Sequence, residues 1–427
     1  MKPVLALVDC RAFYVSCERV FNAAIRHKPV IVLGNNDGII VALSQEAKAL
    51  GLRRGQAAFQ CRDVIEKHAV VSFSSNYQLY ADLSSRVMAT LATFTSSMEV
   101  SSIDEAYLDV SHVEASALTE YGRHIQQTVL QYTGIPTTVA IATTKTLAKV
   151  AAQIIKQEPS CEGVLSIADW SQEQIDVLLE RVSVADIWGI GPRKALLLSA
   201  HSILTARQFK EARTPWVRKH LDVTGARTRY ELRGIQAIPL ETTPKPKKQL
   251  ACALNFGRPI QLLEELAEAV ATYVATVAGR LRRQNSLAGS LTVFIQTDRF
   301  PANAPQYAHS RSTTMLFPTA FTPDLIAEAL QLLRAMFQPG SRYRKAGVLL
   351  GKIVPADTLQ GDLFNLFSLE EHEKKRRLMA AVDLINETWG NNTLFFGSQG
   401  IHRDWKMRQA KRSSRYTTQW DELFAVT

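Results

Sequence analysis

The chain has 427 residues, 46% of them hydrophobic, enough to fill more than one core and to set an expectation of about two to four domains. Lys and Arg number 50 against 40 Asp and Glu, and this formal charge of +10 favours an anionic partner, nucleic acid first. Five widely and irregularly spaced cysteines argue against a zinc cluster or disulfide framework and suit a reduced cytosolic chain. The early Asp9 disfavours a secretory signal, and no apolar run approaches the roughly 18 residues of a membrane span.

Val4 to Val8 reads as a buried strand ending at Asp9, with a helical stretch from Tyr14 to Val20 behind it. PVIVLG, from Pro29 to Gly34, is a second strand that empties into the turn NNDG; a strand through Leu43 and the helix-like SQEAKALG follow. SSRVMATLATF has helical periodicity from Ser84 to Phe94 and precedes the strand-like SSIDEAYLDV at Ser101 to Val110. Leu118 to Tyr132 is an amphipathic helix, PTTVAIAT a strand, and KTLAKVAAQIIK a helix with apolar residues three and four apart. Alternation of strands and helices to about residue 170 predicts α/β or α+β character.

From Ser171 to Leu240 the pattern changes to helices joined by short Gly-containing turns. There WGIGPRK offers either an ordinary helix hairpin or a phosphate cradle, in which Gly189, Gly191 and Arg193 meet the DNA backbone. The Pro- and Lys-rich ETTPKPKKQL at Glu241 to Leu250 reads as a linker. Beyond it, a helix from Pro259 to Leu281, the strand LTVFIQT, a helix near Pro323 to Met336 and the strand KAGVLLGKI make a small α+β unit ending near Pro355. Its cationic clusters, represented by Arg282 and Arg344, are solvated faces or contacts to a DNA backbone. EEHEKKRRLMAAVDLINETWG reads as one helix. The aromatic- and cation-rich tail after it binds nucleic acid or protein, or packs as an appendix.

In SSIDEAYLDV the acids Asp104 and Glu105 are adjacent, although neighbouring strand residues face opposite sides and a buried unpaired charge is costly. A strand end with both acids in water resolves this, as does a metal site with a third oxygen ligand, for which strand-terminal Asp9 is the candidate. Carboxylates alone suit Mg2+, and two such ions suit phosphoryl transfer. A polymerase, a two-metal nuclease or phosphatase, and a non-catalytic DNA-binding scaffold are all open on these residues.

The segments ALVDCRAFYVSCE, VLGNNDG, SQEAKALG, FSSNYQLYADLS, SSIDEAYLDV, ATTKTLAKVAAQIIK, WGIG, GNNTLFFGSQG and RYTTQW occur in this order along essentially the whole chain. In combination they resemble Y-family translesion DNA polymerases, on the branch of the catalytic subunit of bacterial DNA polymerase V, UmuC, and its plasmid-borne relatives. The resemblance implies a right-hand fold of mixed α/β and α+β domains: palm at 1–20 and 80–170, fingers at 21–79 and thumb at 171–238. A linker at 239–249, a separate little finger at 250–355 and a partner-binding tail at 356–427 complete it. It implies error-prone nucleotide addition opposite damaged template in SOS mutagenesis, with two Mg2+ ions per site. Asp9, Asp104, Glu105 and the Cys10 backbone would hold the ions, with Asp9 and Asp104 bridging both and Glu105 serving the catalytic one.

By the same resemblance Tyr14 is the steric gate under the sugar, with Phe13 beside it, and Lys48 and Lys156 contact the triphosphate. Gln45-Glu46-Ala47-Lys48 departs from the Tyr-Glu-Ala-Arg of many relatives, and lysine lacks the planar fork of arginine. Gln360, Leu363 and Phe364 lie in a peptide similar to sliding-clamp-binding motifs, although Leu366 and Phe367 offer a local packing alternative. Implied partners are primer-template DNA, dNTPs, a cleaved UmuD-type (UmuD') dimer, RecA and the clamp. The implied location is the cytoplasm, at the nucleoid when active.

Overall fold

The structure, a computed structural model, describes residues 3–300, 305–358 and 368–423. It forms two units. One comprises the N-terminal segment to Leu33, Ile39–Pro244 and the tail from Lys411; the other comprises Gly34–Gly38 and Lys245–Ala410.

The first unit begins with β1 (Leu5–Cys10), α1 (Phe13–Phe21), β2 (Val30–Leu33), β3 (Ile40–Leu43), α2 (Gln45–Ala49), α3 (Arg62–Lys67) and β4 (Val71–Ser74). It continues through α4 (Tyr77–Leu91), β5 (Met98–Val100), β6 (Glu105–Asp109), α5 (Leu118–Thr133), β7 (Thr137–Ala142), α6 (Lys145–Gln157) and β8 (Val164–Ser166). The helices α7 (Gln172–Glu180), α8 (Pro192–Ala200), α9 (Ala206–Glu211) and α10 (Thr214–Leu232) follow. The main sheet has the order β5-β6-β1-β7-β8, and β1 is antiparallel to both neighbours. A smaller sheet, β3-β2-β4, lies beside its own core of Ile31, Leu33, Ile40 and Leu43.

Strand parity divides the main sheet between two cores. Ala6 and Val8 of β1 pack with α1, α4 and α5, whereas Leu7, with Tyr107 of β6 and Ala140 of β7, packs with α6 and the later helices. Asp9 continues the Leu7 parity and Glu105 the Tyr107 parity, so the sheet delivers both carboxylates to the α6 face. Fully buried Glu231 at the end of α10 fixes the start of α6: its Oε2 accepts from Thr146 N at 3.1 Å and its Oε1 from Ala237 N at 2.8 Å. A carboxylate beside a helix N-terminus is favoured by the aligned peptide dipoles.

The second unit holds β9 (Leu250–Ile260), α11 (Leu263–Arg283), β10 (Ser286–Thr297), β11 (Ala308–Thr319), α12 (Thr322–Arg334), β12 (Tyr343–Pro355) and α13 (Leu369–Trp389). Its antiparallel sheet has the order β11-β10-β12-β9. Two of these strands escape the sequence reading. β11 is an exposed, largely polar edge without clean alternation, and β9 carries Gly257 and Pro259 at its end, where a helix start was expected. Gly347 lets β12 pass under a ring: a Cβ there would lie 2.3 Å from Phe294 Cζ.

The tail contributes to this unit's core. Trp405 is 4% exposed, its ring edge-on to Phe256 and Tyr273 at 6.3 and 5.9 Å, and its carbonyl accepts from Gly257 N at 3.0 Å. Of the alternatives for the tail, packing describes this segment. Trp405→Ala is expected to cost about 3–5 kcal/mol, as large aromatic truncations do. Urea denaturation measures this, and an unchanged midpoint would mean that the ring contributes nothing to the core.

Candidate active site

Asp9 and Glu105 are register partners across β1 and β6, so their side chains leave the sheet on the same face. Asp104 precedes the ladder, in a bend, where its carbonyl accepts from Cys10 N at 2.8 Å and its Oδ1 from Ser102 Oγ. The adjacent acids therefore do not share a strand: one opens β6, and the other sits in the bend that turns it back toward the end of β1. Asp109, whose Oδ1 accepts from Ser111 N at 2.9 Å, closes the other end of β6 and takes no part.

Helix α6 supplies the counter-charges. Lys156 Nζ meets Asp9 Oδ2 at 2.6 Å, and Lys149 Nζ pairs with Glu105 Oε2, while Ser101 Oγ donates to Glu105 Oε1 at 2.9 Å. Burial pushes the Asp9 carboxyl above its ordinary value; Lys156 opposes this, and the charges of Asp104 and Glu105 add to it. Lys149 was missed by sequence reading. Its spacing of seven from Lys156, two turns along one helix face, was the available signal.

Phe13 and Tyr14 open α1 directly after β1, behind Ala12 in the left-handed region (φ 43°). No side-chain hydrogen bond caps the start of this helix. Phe13 is 3% exposed and packs in the core, so its ring is not available to a nucleotide; a strand-to-helix turn this tight directs alternate rings inward and outward. Tyr14 is half-buried and stacks on Tyr80 at 4.5 Å and 15°. Burial raises the Tyr14 hydroxyl above its usual value, Tyr77 and Asp104 add to this, and Arg54 opposes it. Arg54, unremarked in the sequence, thus lies within electrostatic reach of Tyr14.

Lys48 is exposed on α2 and has no ion pair among the described residues; the nearby Glu46 pairs with Arg19 at 3.0 Å. Gln45 opens the same helix, exposed. Gly189, at φ 86°, and Gly191 frame the turn before α8, with Arg193 exposed in its first turn. Arg282 departs from expectation. Its guanidinium binds Asp383 at 2.6 and 2.7 Å, the Ala320 carbonyl at 2.9 Å and Thr322 Oγ1 at 2.8 Å, so most of its donors fasten α13 to the unit. Arg344 is half-buried on β12. Gln360, Leu363 and Phe364 lie outside the described residues.

The donor chemistry of Asp9, Asp104 and Glu105 fits a hard divalent cation. As the side chains stand, no three His, Cys, Asp or Glu among the described residues are gathered tightly enough to chelate one. Two of the acids are instead paired with lysine, which occupies oxygens that an ion would take. The strand register brings Asp9 and Glu105 opposite each other, and the two lysines would have to give way for these oxygens to hold an ion.

Residues 8–153 match the impB/mucB/samB family, residues 247–363 that family's C-terminal domain, and residues 376–426 a domain of unknown function, DUF4113. The chain is 38% identical over 425 residues to protein UmuC of Salmonella typhimurium, covering 99% of this chain and 100% of the relative. Protein ImpB of Salmonella typhimurium is 36% identical, with 98% and 99% covered. Among solved structures, a Y-family DNA polymerase chimera superposes with a TM-score of 0.67 at 21% identity, covering 82% of this chain and 99% of the other.

An isolated burial cost at Asp9 has a measurable consequence. A carboxyl raised above its unfolded value weakens the fold when ionised, and the penalty disappears as pH falls through the folded value. In divalent-free buffer near neutral pH, Asp9→Asn is expected to stabilise the protein by about 0.5–2 kcal/mol, the usual range of a single stabilising substitution. The difference from wild type closes toward acid pH in thermal melts. A lower Tm for the variant at neutral pH would show that the Lys156 pair outweighs burial.

Proposed function

The chain belongs to the impB/mucB/samB family and is a translesion DNA polymerase of the polymerase V type, and from that premise we propose how its residues carry the reaction. The observation that supports the assignment most directly is the register pairing of Asp9 with Glu105, with Asp104 in the adjoining bend. We assign Asp9, Asp104, Glu105 and the Cys10 carbonyl to two Mg2+ ions. Such ions, when bound, favour the ionised primer 3′-oxygen and offset charge on the α-phosphate and the departing pyrophosphate.

The chain's own groups do the rest. Lys156 and Lys149 pair with Asp9 and Glu105, and we assign both ammonium groups to phosphate oxygens of the nucleotide when the acids hold cations. We assign the start of α1, which has no side-chain cap, to the triphosphate, with Lys48 and Arg54 as further cations. Tyr14 underlies the sugar as the gate against a ribose 2′-hydroxyl. Primer-template DNA meets the Gly189–Arg193 turn and Arg344, and Arg282 is excluded by its bonds to Asp383.

In this reading the palm comprises 1–20 and 80–170, the fingers 21–79, the thumb 171–238 and the little finger 250–355. The working complex includes a UmuD'-type dimer and RecA, and the segment 360–364 engages the sliding clamp. No helix among the described residues is long and apolar enough to cross a membrane.

Primer extension by the reconstituted complex on intact and abasic templates tests the assignment. Asp104→Asn and Glu105→Gln are each expected to lower extension by about 10³-fold or more, a loss of roughly 4 kcal/mol of transition-state stabilisation, with DNA binding retained. Primer shortening without extension would identify a nuclease instead. Lys156→Ala is expected to raise the dNTP KM more than it lowers kcat; an unchanged KM would remove Lys156 from the triphosphate site.

A further inference from the structure

Glu18 poses a problem that the reaction does not answer. It is 2% exposed on α1, four residues after Tyr14, and no cation pairs with it among the described residues. Two hydroxyls hold it: Tyr80 donates to Oε1 at 2.6 Å, and Ser413, from the C-terminal tail, donates to the same oxygen at 3.0 Å. Burial lifts this carboxyl above its ordinary value, and the two hydroxyls pull against that. Keeping a carboxylate here is costly, and the structure shows what it holds: Tyr80, fully buried, is the ring on which Tyr14 stacks.

The tail reaches this point through a built connection. Lys411 and Arg412 run alongside the end of β4, with Ser74 N donating to Lys411 O at 3.0 Å and Lys411 N to Ser74 Oγ at 2.9 Å. Asn76, 2% exposed, caps α4 through Oδ1, and its amide donates to Ser413 O and Ser413 Oγ, both at 3.0 Å, and to Ser414 O at 3.2 Å. A relay thus runs from Asn76 to Ser413 to Glu18, with Tyr80 entering from the other side. Two further contacts secure the tail: Tyr416 stacks on Phe21 of α1 at 4.7 Å, and Glu422 folds back on Arg415. Both helices that carry the tyrosine stack, α1 and α4, are gripped by the same short segment.

We propose that the C-terminal tail is a positioning element of the sugar gate, Ser413 acting through Glu18 and Tyr80 to fix the ring of Tyr14. This gives a role to part of the segment that matches a domain of unknown function. It rests on Tyr14 being the gate, so the test carries an arm for that assignment.

The measurement is the ratio of kcat/KM for a deoxynucleotide to that for the matching ribonucleotide, in the reconstituted complex. Ser413→Ala and Tyr80→Phe are each expected to lower this ratio about three- to tenfold, the size of one ordinary net hydrogen bond. Ser413→Thr keeps the hydroxyl and restores the ratio. The double variant loses less than the product of the single losses, because the two hydroxyls serve one carboxylate. A purely structural strap would shift Tm and leave sugar discrimination intact. If Tyr14→Ala abolishes discrimination while Ser413→Ala and Tyr80→Phe leave it unchanged, the positioning role is overturned and the gate stands. If Tyr14→Ala leaves discrimination unchanged, the gate assignment itself fails, and the positioning role with it.

Discussion

The site depends on one pairing, the antiparallel register that sets Asp9 opposite Glu105 at the edge of a buried strand. A one-residue slip would turn every side chain of β6 to the other face, sending Tyr107 out of the α6 core and Glu105 away from Asp9. The apolar residues before Asp9 hold the register, because Leu7 and Tyr107 must enter one core while Ala6 and Val8 enter the other. The carboxylates are placed by hydrophobic packing that does not involve them.

Such placement has an electrostatic cost. Three acids at the margin of an apolar core repel one another, and burial raises the Asp9 carboxyl. Helix α6 offsets this with Lys149 and Lys156, two turns apart on one face, and Glu231 fixes the helix start that aims them. Surface ion pairs contribute little to stability, and Lys156 is 61% exposed, so its pair with Asp9 adds little as a strut, whereas the Lys149–Glu105 pair is largely buried.

A second buried carboxylate, Glu18, lies on the same helix as Tyr14 and shows a different solution. Among the described residues it has hydroxyl partners and no cation, and one of those hydroxyls comes from a segment 395 residues away in sequence. A hydroxyl partner fixes direction without introducing a charge that would compete with the acids of the site. In this way the tail is joined through Glu18 to Tyr80, on whose ring Tyr14 stacks.

The local sequence determined a good deal. Apolar runs gave β1, β6 and β7, helical periodicity gave α5 and α6, and the Asp-Glu pair with strand-terminal Asp9 marked the acids. Local pattern suffices there because each element buries a face of its own. Tertiary structure alone decided the rest. Asp104 lies in a bend and not in the ladder; Arg282 is consumed by Asp383; Phe13 turns into the core; β9 and β11 exist only because neighbours pair with them. Lys149 and Ser413 likewise acquire meaning only through acids distant in the chain, since a hydrogen bond or ion pair between remote residues leaves no periodic trace in either segment.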